Sequence, residues 1–297
     1  MTRKPVRSRR NRRSDTAIAF QGALGAYSEL ACRGAYPKMT PLPCRVFDDV
    51  FEAVARGRAL LGMIPVENSV AGRVADIHHL LPGAKLHIVA EHFQRVDHHL
   101  LAVKGATLKD LTHLHSHVHA LGQCRTIIRK LGVEPVVHED TAGAAKMVAE
   151  LGDKSQGAIA SSLAGERYGL VSLKANIEDA EHNTTRFLVM SKTPSVPDPR
   201  SGPVMTSLIF SVRNIPAALF KALGGFATNG VNMTKLESYL VGGGFQAAQF
   251  YADIEGHPRH PNVRLALEEL RFFSRQVTIL GTYPAHPFRL KMAPAGE

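Results

Sequence analysis

A chain of 297 residues has room for two ordinary domains, and a hydrophobic content of 44% excludes a disordered polymer and suffices for a buried core. The formal net charge of +10 is concentrated at one end: Arg3, Lys4, Arg7, Arg9, Arg10, Arg12 and Arg13 account for all but +3 of it, with no acid before Asp15. No apolar run of secretory or membrane-spanning length follows, and three cysteines without a CxxC pair fit free thiols in a reducing cytosol.

Residues 1–15 read as a solvated basic tail. Nucleic-acid binding is the sharper reading of such a run, but the body has no basic stripe with interleaved aromatics to support it. Ordered structure is expected from Thr16. The apolar run Ala17-Ile18-Ala19-Phe20 ends at Gly22 and reads as a buried strand with a glycine turn, leading to a helix over Ser28 to Ala35. From Val46 a helix presents Val50, Phe51 and Val54 on one face. Leu60 to Val66 is a second buried strand, followed directly by the polar Glu67-Asn68-Ser69. His87 to Val89 and Leu100 to Val103 read as strands, Leu121 to Leu131 as a helix closed by Gly132, and Val133 to His138 as a strand. Thr141 to Leu151 is a helix and Gly157 to Ala160 a strand. Strands alternating with helices predict an α/β fold with a largely parallel sheet.

The segment from Ser191 to Pro203, with Pro194, Pro197, Pro199 and Pro203, excludes helix and sheet interiors and reads as a linker. Beyond it come a strand (Thr206 to Val212), a helix opened by Pro216, a strand (Asn232 to Val241), a Gly242-Gly243-Gly244 hairpin and a return strand (Phe245 to Ile254). A helix (Asn262 to Phe273) and a last strand (Val277 to Tyr283) close the set. The order βαββαβ is the ferredoxin-like arrangement.

Four constellations carry polar chemistry. The turn Gly22-Ala23-Leu24-Gly25-Ala26-Tyr27-Ser28 is an anion cradle or an ordinary strand-to-helix turn, and it is not GxGxxG. Glu67-Asn68-Ser69 stands at the C-terminal end of a strand, where open α/β sheets bind ligands, or caps a helix. His113, His115, His117 and His119 alternate; a zinc site lacks a completing ligand pattern, and a polar loop leading into the helix at Leu121 is the favoured reading. Asn183-Thr184-Thr185-Arg186-Phe187 groups polar donors, a permanent cation and an aromatic. It is either a carboxylate-binding strand or a salt-bridged surface strand.

Taken together, Ile64-Pro65-Val66-Glu67-Asn68-Ser69, Ser116-His117 with Gln123-Cys124, and Asn183 to Phe187 resemble the prephenate dehydratase family, with Thr185-Arg186-Phe187 as its signature triplet. Ala19-Phe20-Gln21-Gly22 with Gly25-Ala26-Tyr27-Ser28 is similar to its N-terminal glycine turn, and the C-terminal part resembles an ACT domain. The resemblance implies a two-lobed, periplasmic-binding-protein-like catalytic domain over 16–193, a linker over 194–204, an ACT domain over 205–284 and a tail over 285–297. It implies a cytoplasmic carbon–oxygen lyase that needs no cofactor and no metal, acts on prephenate as a homodimer or homotetramer, senses phenylalanine, and binds neither nucleic acid nor membrane. By position, Thr185, Arg186 and Phe187 are implied to be catalytic: Thr185 principal, Arg186 on a carboxylate, Phe187 shaping the pocket. Asn68, Ser69, Ser116, His117, Gln123 and Thr184 are implied to hold the substrate, and Ala217, Leu219, Asn229, Asn232, Glu237 and Ser238 the effector. The chain departs from the family pattern at Val118-His119, where Pro-Gln is usual, and at Glu237-Ser238-Tyr239-Leu240, where the family has ESRP. Arogenate dehydratase and a non-catalytic two-lobed binding protein are the alternatives.

Overall fold

The computed structural model describes residues 16–74, 77–213, 215–240 and 247–292. The expected basic tail and the Gly242-Gly243-Gly244 hairpin lie outside the described residues. In chain order the elements are β1 (Ala17–Gln21), α1 (Tyr27–Ala35), β2 (Thr40–Cys44), α2 (Phe47–Ala55), β3 (Leu61–Asn68), β4 (Gly72–Arg73), α3 (Ile77–Leu80), β5 (His87–Arg95) and β6 (His99–Ala102). Then come β7 (His113–Ser116), α4 (Val118–Gln123), α5 (Arg125–Leu131), β8 (Glu134–Val137), α6 (Thr141–Leu151), β9 (Gln156–Ala160), α7 (Ser162–Tyr168), β10 (Val171–Lys174) and β11 (Thr184–Ser191). The last are β12 (Val204–Val212), α8 (Ala218–Thr228), β13 (Met233–Leu240), β14 (Ala247–Glu255), α9 (Pro261–Phe273), β15 (Ser274–Pro284) and α10 (Pro287–Met292). They form two compact units: residues up to Ile77 with His92–Phe187, and His78–Glu91 with the chain from Leu188 onward.

One sheet has the order β2-β1-β3-β11-β5, with β4 paired to β3; a second has the order β10-β6-β9-β7-β8. Both are mixed, which corrects the expectation of a largely parallel sheet. β1 runs parallel to β2 and β3, and β7 parallel to β8 and β9, but β6 is antiparallel to both β9 and β10. The physical reason is the route of the chain. β6 arrives from the first sheet through residues 96–98 rather than from a neighbouring strand through a crossover helix, so the rule that keeps βαβ strands parallel does not act on it. Two segments thus pass between the sheets, 96–98 and 175–183. They are laced together by Val96 N–H donating to Asn183 O (2.9 Å) and Ile177 N–H donating to His98 O (3.1 Å).

Local chemistry sets the element ends. α6 starts where Asp140 Oδ1 accepts from Gly143 N–H (2.7 Å) and stops at Gly152, whose φ of 65° is the left-handed cap that glycine takes at least cost. The helix expected over 121–131 is two helices broken at Cys124. Asp179 supplies the reason: its carboxylate accepts from Arg125 N–H (2.9 Å) and Thr126 N–H (3.2 Å), opening α5, while its own N–H donates to Gln123 O (2.7 Å). The favoured loop reading of 113–119 is also corrected. His113 to Ser116 are β7, with Leu114 and Ser116 buried, and only His117 onward turns into α4. β2, which sequence pattern missed, contains Pro41 and Pro43 and survives because it is an edge strand with one neighbour.

In the second unit β12, α8, β13, β14, α9 and β15 occur in βαββαβ order, and the antiparallel sheet runs β13-β14-β12-β15. Ala222 and Phe226 of α8 and Val263, Ala266, Leu267 and Leu270 of α9 pack against Leu208, Phe210, Ala252 and Ile254. Each fully buried leucine or phenylalanine there contributes about 2 kcal/mol over leaving it in water. Among the described residues, no helix is long and apolar enough to cross a membrane.

Candidate active site

The first unit gathers polar side chains where the two linking segments meet the strand ends. Asn68 closes β3. Its Oδ1 accepts from the backbone N–H groups of Val70 (2.9 Å) and Ala71 (2.8 Å), which fixes the amide: the other arm must be the nitrogen. Asn68 Nδ2 therefore donates both protons, to Asn183 Oδ1 (2.7 Å) and Thr185 Oγ1 (3.0 Å). Thr185 is held as an acceptor by a neighbour with no alternative role, so its own O–H remains a donor for something else. Asn183 Nδ2 donates to Gln123 Oε1 (3.0 Å), and Gln123 Nε2 points back at Asn68 Oδ1 (3.5 Å). Gln123 comes from the helix after β7 of the second sheet, whereas Asn68 and Thr185 stand on β3 and β11 of the first, so the amide chain spans both sheets.

His98 lies behind this chain and is almost fully buried. Its Nε2 is 2.9 Å from Gln123 Oε1 and its Nδ1 2.9 Å from the Tyr27 hydroxyl, which also reaches Asp97 O (2.8 Å). Burial pushes the His98 pKa below its ordinary value, against the pull of the Gln123 hydrogen bond and of Glu178 and Asp97. The Tyr27 hydroxyl is pushed well above its usual range, first by burial and then by Cys124, Glu178 and Asp97.

The other candidates are distributed unevenly. Arg186 follows Thr185 on β11 and so faces the opposite side of the strand. It is 3% exposed and its guanidinium meets Glu67, the neighbour of Asn68, at 3.0 Å. Phe187 is core. Ser69 and Thr184 join the strand ends: Ser69 Oγ donates to His182 O (2.6 Å) and accepts from Thr184 N–H (2.9 Å). Ser116 is fully buried, and its hydroxyl donates to Ile159 O (2.6 Å) inside the second sheet. His117 caps α4, accepting from His119 N–H (3.3 Å); burial and then His119 lower its pKa. His113 and His115 stack at 6.4 Å on β7, and among the described residues no three His, Cys, Asp or Glu side chains are grouped to hold a metal.

The glycine turn is committed internally. Gly25 N–H donates to the buried Glu29 (2.6 Å), which also takes Arg33 and Arg167, while Ser161 Oγ donates to Gly25 O (2.6 Å). Gly25 has φ 97°, and a Cβ there would lie 2.9 Å from the Ala164 Cα, so glycine is required twice over.

The effector candidates lie in the second unit. Ala217 takes φ 61° before α8, and Leu219 packs on that unit's core. Asn229 caps the same helix and donates to Gly225 O (2.7 Å) and Glu269 (2.9 Å). Asn232 precedes β13, where Glu237 meets Lys235 and the Tyr239 hydroxyl and Ser238 is exposed. Sequence reasoning quoted Asn183 and Tyr27 without assigning them, and missed His98 and Asp179. Their side-chain partners lie 25 to 115 positions away, so only the fold joins them.

The profile of the prephenate dehydratase family matches residues 18–195. A bifunctional N-acyl-homoserine lactone acylase/prephenate dehydratase from Komagataeibacter europaeus is 57% identical over 92% of this chain and 98% of that relative. Arogenate dehydratase 2 from Petunia hybrida is 38% identical over 90% of this chain and 71% of its own. The crystal structure of prephenate dehydratase from Arthrobacter aurescens in complex with L-Phe superposes with a TM-score of 0.83 at 29% identity, covering 91% of this chain and 90% of that one. A family match over more than half the chain, on the same residues that build the amide chain around Thr185, makes this protein a member of the prephenate dehydratase family.

Proposed function

We propose that the protein converts prephenate to phenylpyruvate, with Thr185 assisting the departure of the ring hydroxyl. The ring carboxylate leaves as CO2, its bonding pair enters the ring, the C–O bond breaks, and the hydroxide takes up one proton and departs as water. Aromatisation supplies the driving force, so the site has only to orient a dianion and stabilise charge on the leaving oxygen. The observation that carries this reading is the fixed amide of Asn68. Donating to Thr185 Oγ1, it leaves the threonine proton free for the leaving oxygen. A threonine hydroxyl is too weak an acid to surrender its proton outright, so it acts as an oriented donor and the proton of the departing water comes from solvent. Asn68, Gln123, Ser69, Thr184 and His117 are assigned to the substrate side. Ser116 and Phe187 support it from the buried interior, and Arg186 acts through Glu67.

Thr185→Ala tests the assignment. Its kcat for prephenate should fall roughly 100-fold, the scale of losing one preorganised donor, and Thr185→Ser should recover most of it. An unchanged kcat in the alanine variant rejects the role. Arogenate, the amino analogue named in the Petunia relative, is assayed in parallel. The acylase activity named in the Komagataeibacter relative is a second reading, supported by 57% identity across nearly all of that chain; release of free homoserine lactone from an N-acyl substrate tests it.

We further propose a catalytic domain over 16–193, a linker over 194–204, an ACT domain over 205–284 and a tail over 285–297, in a cytoplasmic homodimer or homotetramer. The βαββαβ order and the L-Phe in the Arthrobacter structure support phenylalanine as effector, held near Ala217, Leu219, Asn229, Asn232, Glu237 and Ser238. Turnover indifferent to millimolar phenylalanine would reject this regulation.

A further inference from the structure

The amide chain has one consistent assignment of protons, and it runs further than Thr185. Two backbone N–H groups, which can only donate, fix Asn68 Oδ1 as acceptor. Asn68 Nδ2 then makes Asn183 Oδ1 an acceptor, so Asn183 Nδ2 donates and Gln123 Oε1 accepts. The imidazole nitrogen 2.9 Å from that same oxygen must therefore carry a proton. His98 is the Nε2–H tautomer, and its Nδ1 faces the Tyr27 hydroxyl, whose one proton it shares with Asp97 O. With Oε1 held by two donors, Gln123 turns its NH2 group toward Asn68 and the Thr185 side of the network.

We propose that His98 is a positioning residue for the dehydratase reaction: its Nε2–H locks the Gln123 amide so that the substrate dianion meets an N–H donor rather than a carbonyl oxygen. The inference rests on the prephenate reading above. Its basis is the geometry of the segment 96–98, which carries the chain from the first sheet to the second. There His98 N–H is tied to Glu178 (2.9 Å), His98 O to Ile177 N–H (3.1 Å), and the ring stands edge-on to Tyr27 with centroids 5.4 Å apart. The groups facing the ring are Tyr27 from α1, Gln123 from α4, Glu178 from the returning segment, and Asp97 and His99 beside it in the chain. Burial keeps the ring neutral at neutral pH, so it works by holding one tautomer and not by titrating. Without His98, Gln123 Oε1 keeps one donor, Asn183 Nδ2, in place of two, so the amide is held less firmly with its NH2 group toward the substrate.

The test contrasts two amides in the place of the imidazole. His98→Gln can return an N–H to the Nε2 position. His98→Asn reaches only the Tyr27 side. The asparagine variant should raise KM for prephenate about tenfold, the scale of one hydrogen bond to a charged group, with a smaller change in kcat; the glutamine variant should stay within about threefold of the parent. In a Gln123→Met background the His98→Asn substitution should have no further effect on KM, because the residue it acts through is gone. Equal KM for the two His98 variants, or effects that multiply in the double variant, would overturn the proposal. A readout independent of turnover keeps it separate from the functional reading: imidazole 15N–1H spectra of the full chain, assigned by the signal lost in His98→Asn. They should show His98 as the Nε2–H tautomer. An Nδ1–H tautomer overturns the inference even if prephenate is turned over, whereas the expected tautomer in a chain that does not turn over prephenate faults only the reaction assigned.

Discussion

Thr185 and Arg186 are neighbours on one strand, and the alternation of β11 sends them to opposite faces. On one face Asn68 holds Thr185; on the other Glu67 holds Arg186 at 3.0 Å, with the arginine 3% exposed and the glutamate side chain 35% exposed. The sequence expectation gave Arg186 a substrate carboxylate. A guanidinium already seated on a protein carboxylate contributes more to holding the strand end than to binding a second anion. Lysine keeps the charge but lacks the planar, multi-donor head that fits a carboxylate. Arg186→Lys is therefore expected to lower the unfolding midpoint by a few degrees, the consequence of losing ~1 kcal/mol in a chain of this size, while moving KM for prephenate by less than about threefold. Thermal melting and initial-rate kinetics on one preparation separate the outcomes. A KM raised more than about tenfold at an unchanged midpoint would return Arg186 to the substrate.

At the level of elements, the split between α4 and α5 puts Gln123 at a helix end beside Asn183 rather than in mid-helix. One residue makes that split: Asp179 caps α5 with its carboxylate and anchors Gln123 O with its N–H. Asp179→Ala should cost about 1 kcal/mol as a lost helix cap and should also raise KM for prephenate, because Gln123 loses the boundary that aims it. Asp179→Asn, itself a good cap, should restore both. A melt lowered with KM unaltered would show that the cap and the site are independent. The same split marks the limit of what local pattern can tell. Amphipathic spacing correctly located α6, α9 and the strands of the βαββαβ unit, because each is decided by residues within one or two turns. It ran α4 and α5 together because the capping group lies 54 positions along the chain from Arg125. It lost β2 because Pro41 and Pro43 forbid an interior strand but not an edge one. Site motifs were legible as polar residues at strand ends. The proton order that ties Asn68 to His98 was not, since it depends on which backbone N–H groups meet Asn68.

Across the whole molecule, titration follows burial in two directions, and the signs combine into a window. His98, His117, His257 and His286 all have pKa values lowered from the ordinary 6.5, burial being the first cause in each. Their unfolded forms take up protons in a range where the native forms resist them, so the native state binds fewer protons there and stability falls as pH drops below about 6.5. The stabilisation these four contribute is fully present above that value. Cys32 and Cys124 behave in the opposite sense. Burial first, then Glu29 for one and Asp179 and Glu178 for the other, pushes both thiols up from the ordinary 9.0. Above about pH 9 the unfolded thiols ionise while the native ones do not, so stability falls again as pH rises. The unfolding midpoint should therefore form a plateau between the two ordinary values and decline on both sides. Melts from about pH 5 to about pH 10 at constant ionic strength measure it. Cys32→Ala with Cys124→Ala should make the alkaline limb shallower, leaving the part that Cys44 and the buried Tyr27 contribute, and leave the acid limb in place, because the two limbs belong to different groups. A midpoint that rises on acidification through 6.5, or an alkaline limb as steep without the thiols as with them, would contradict this assignment.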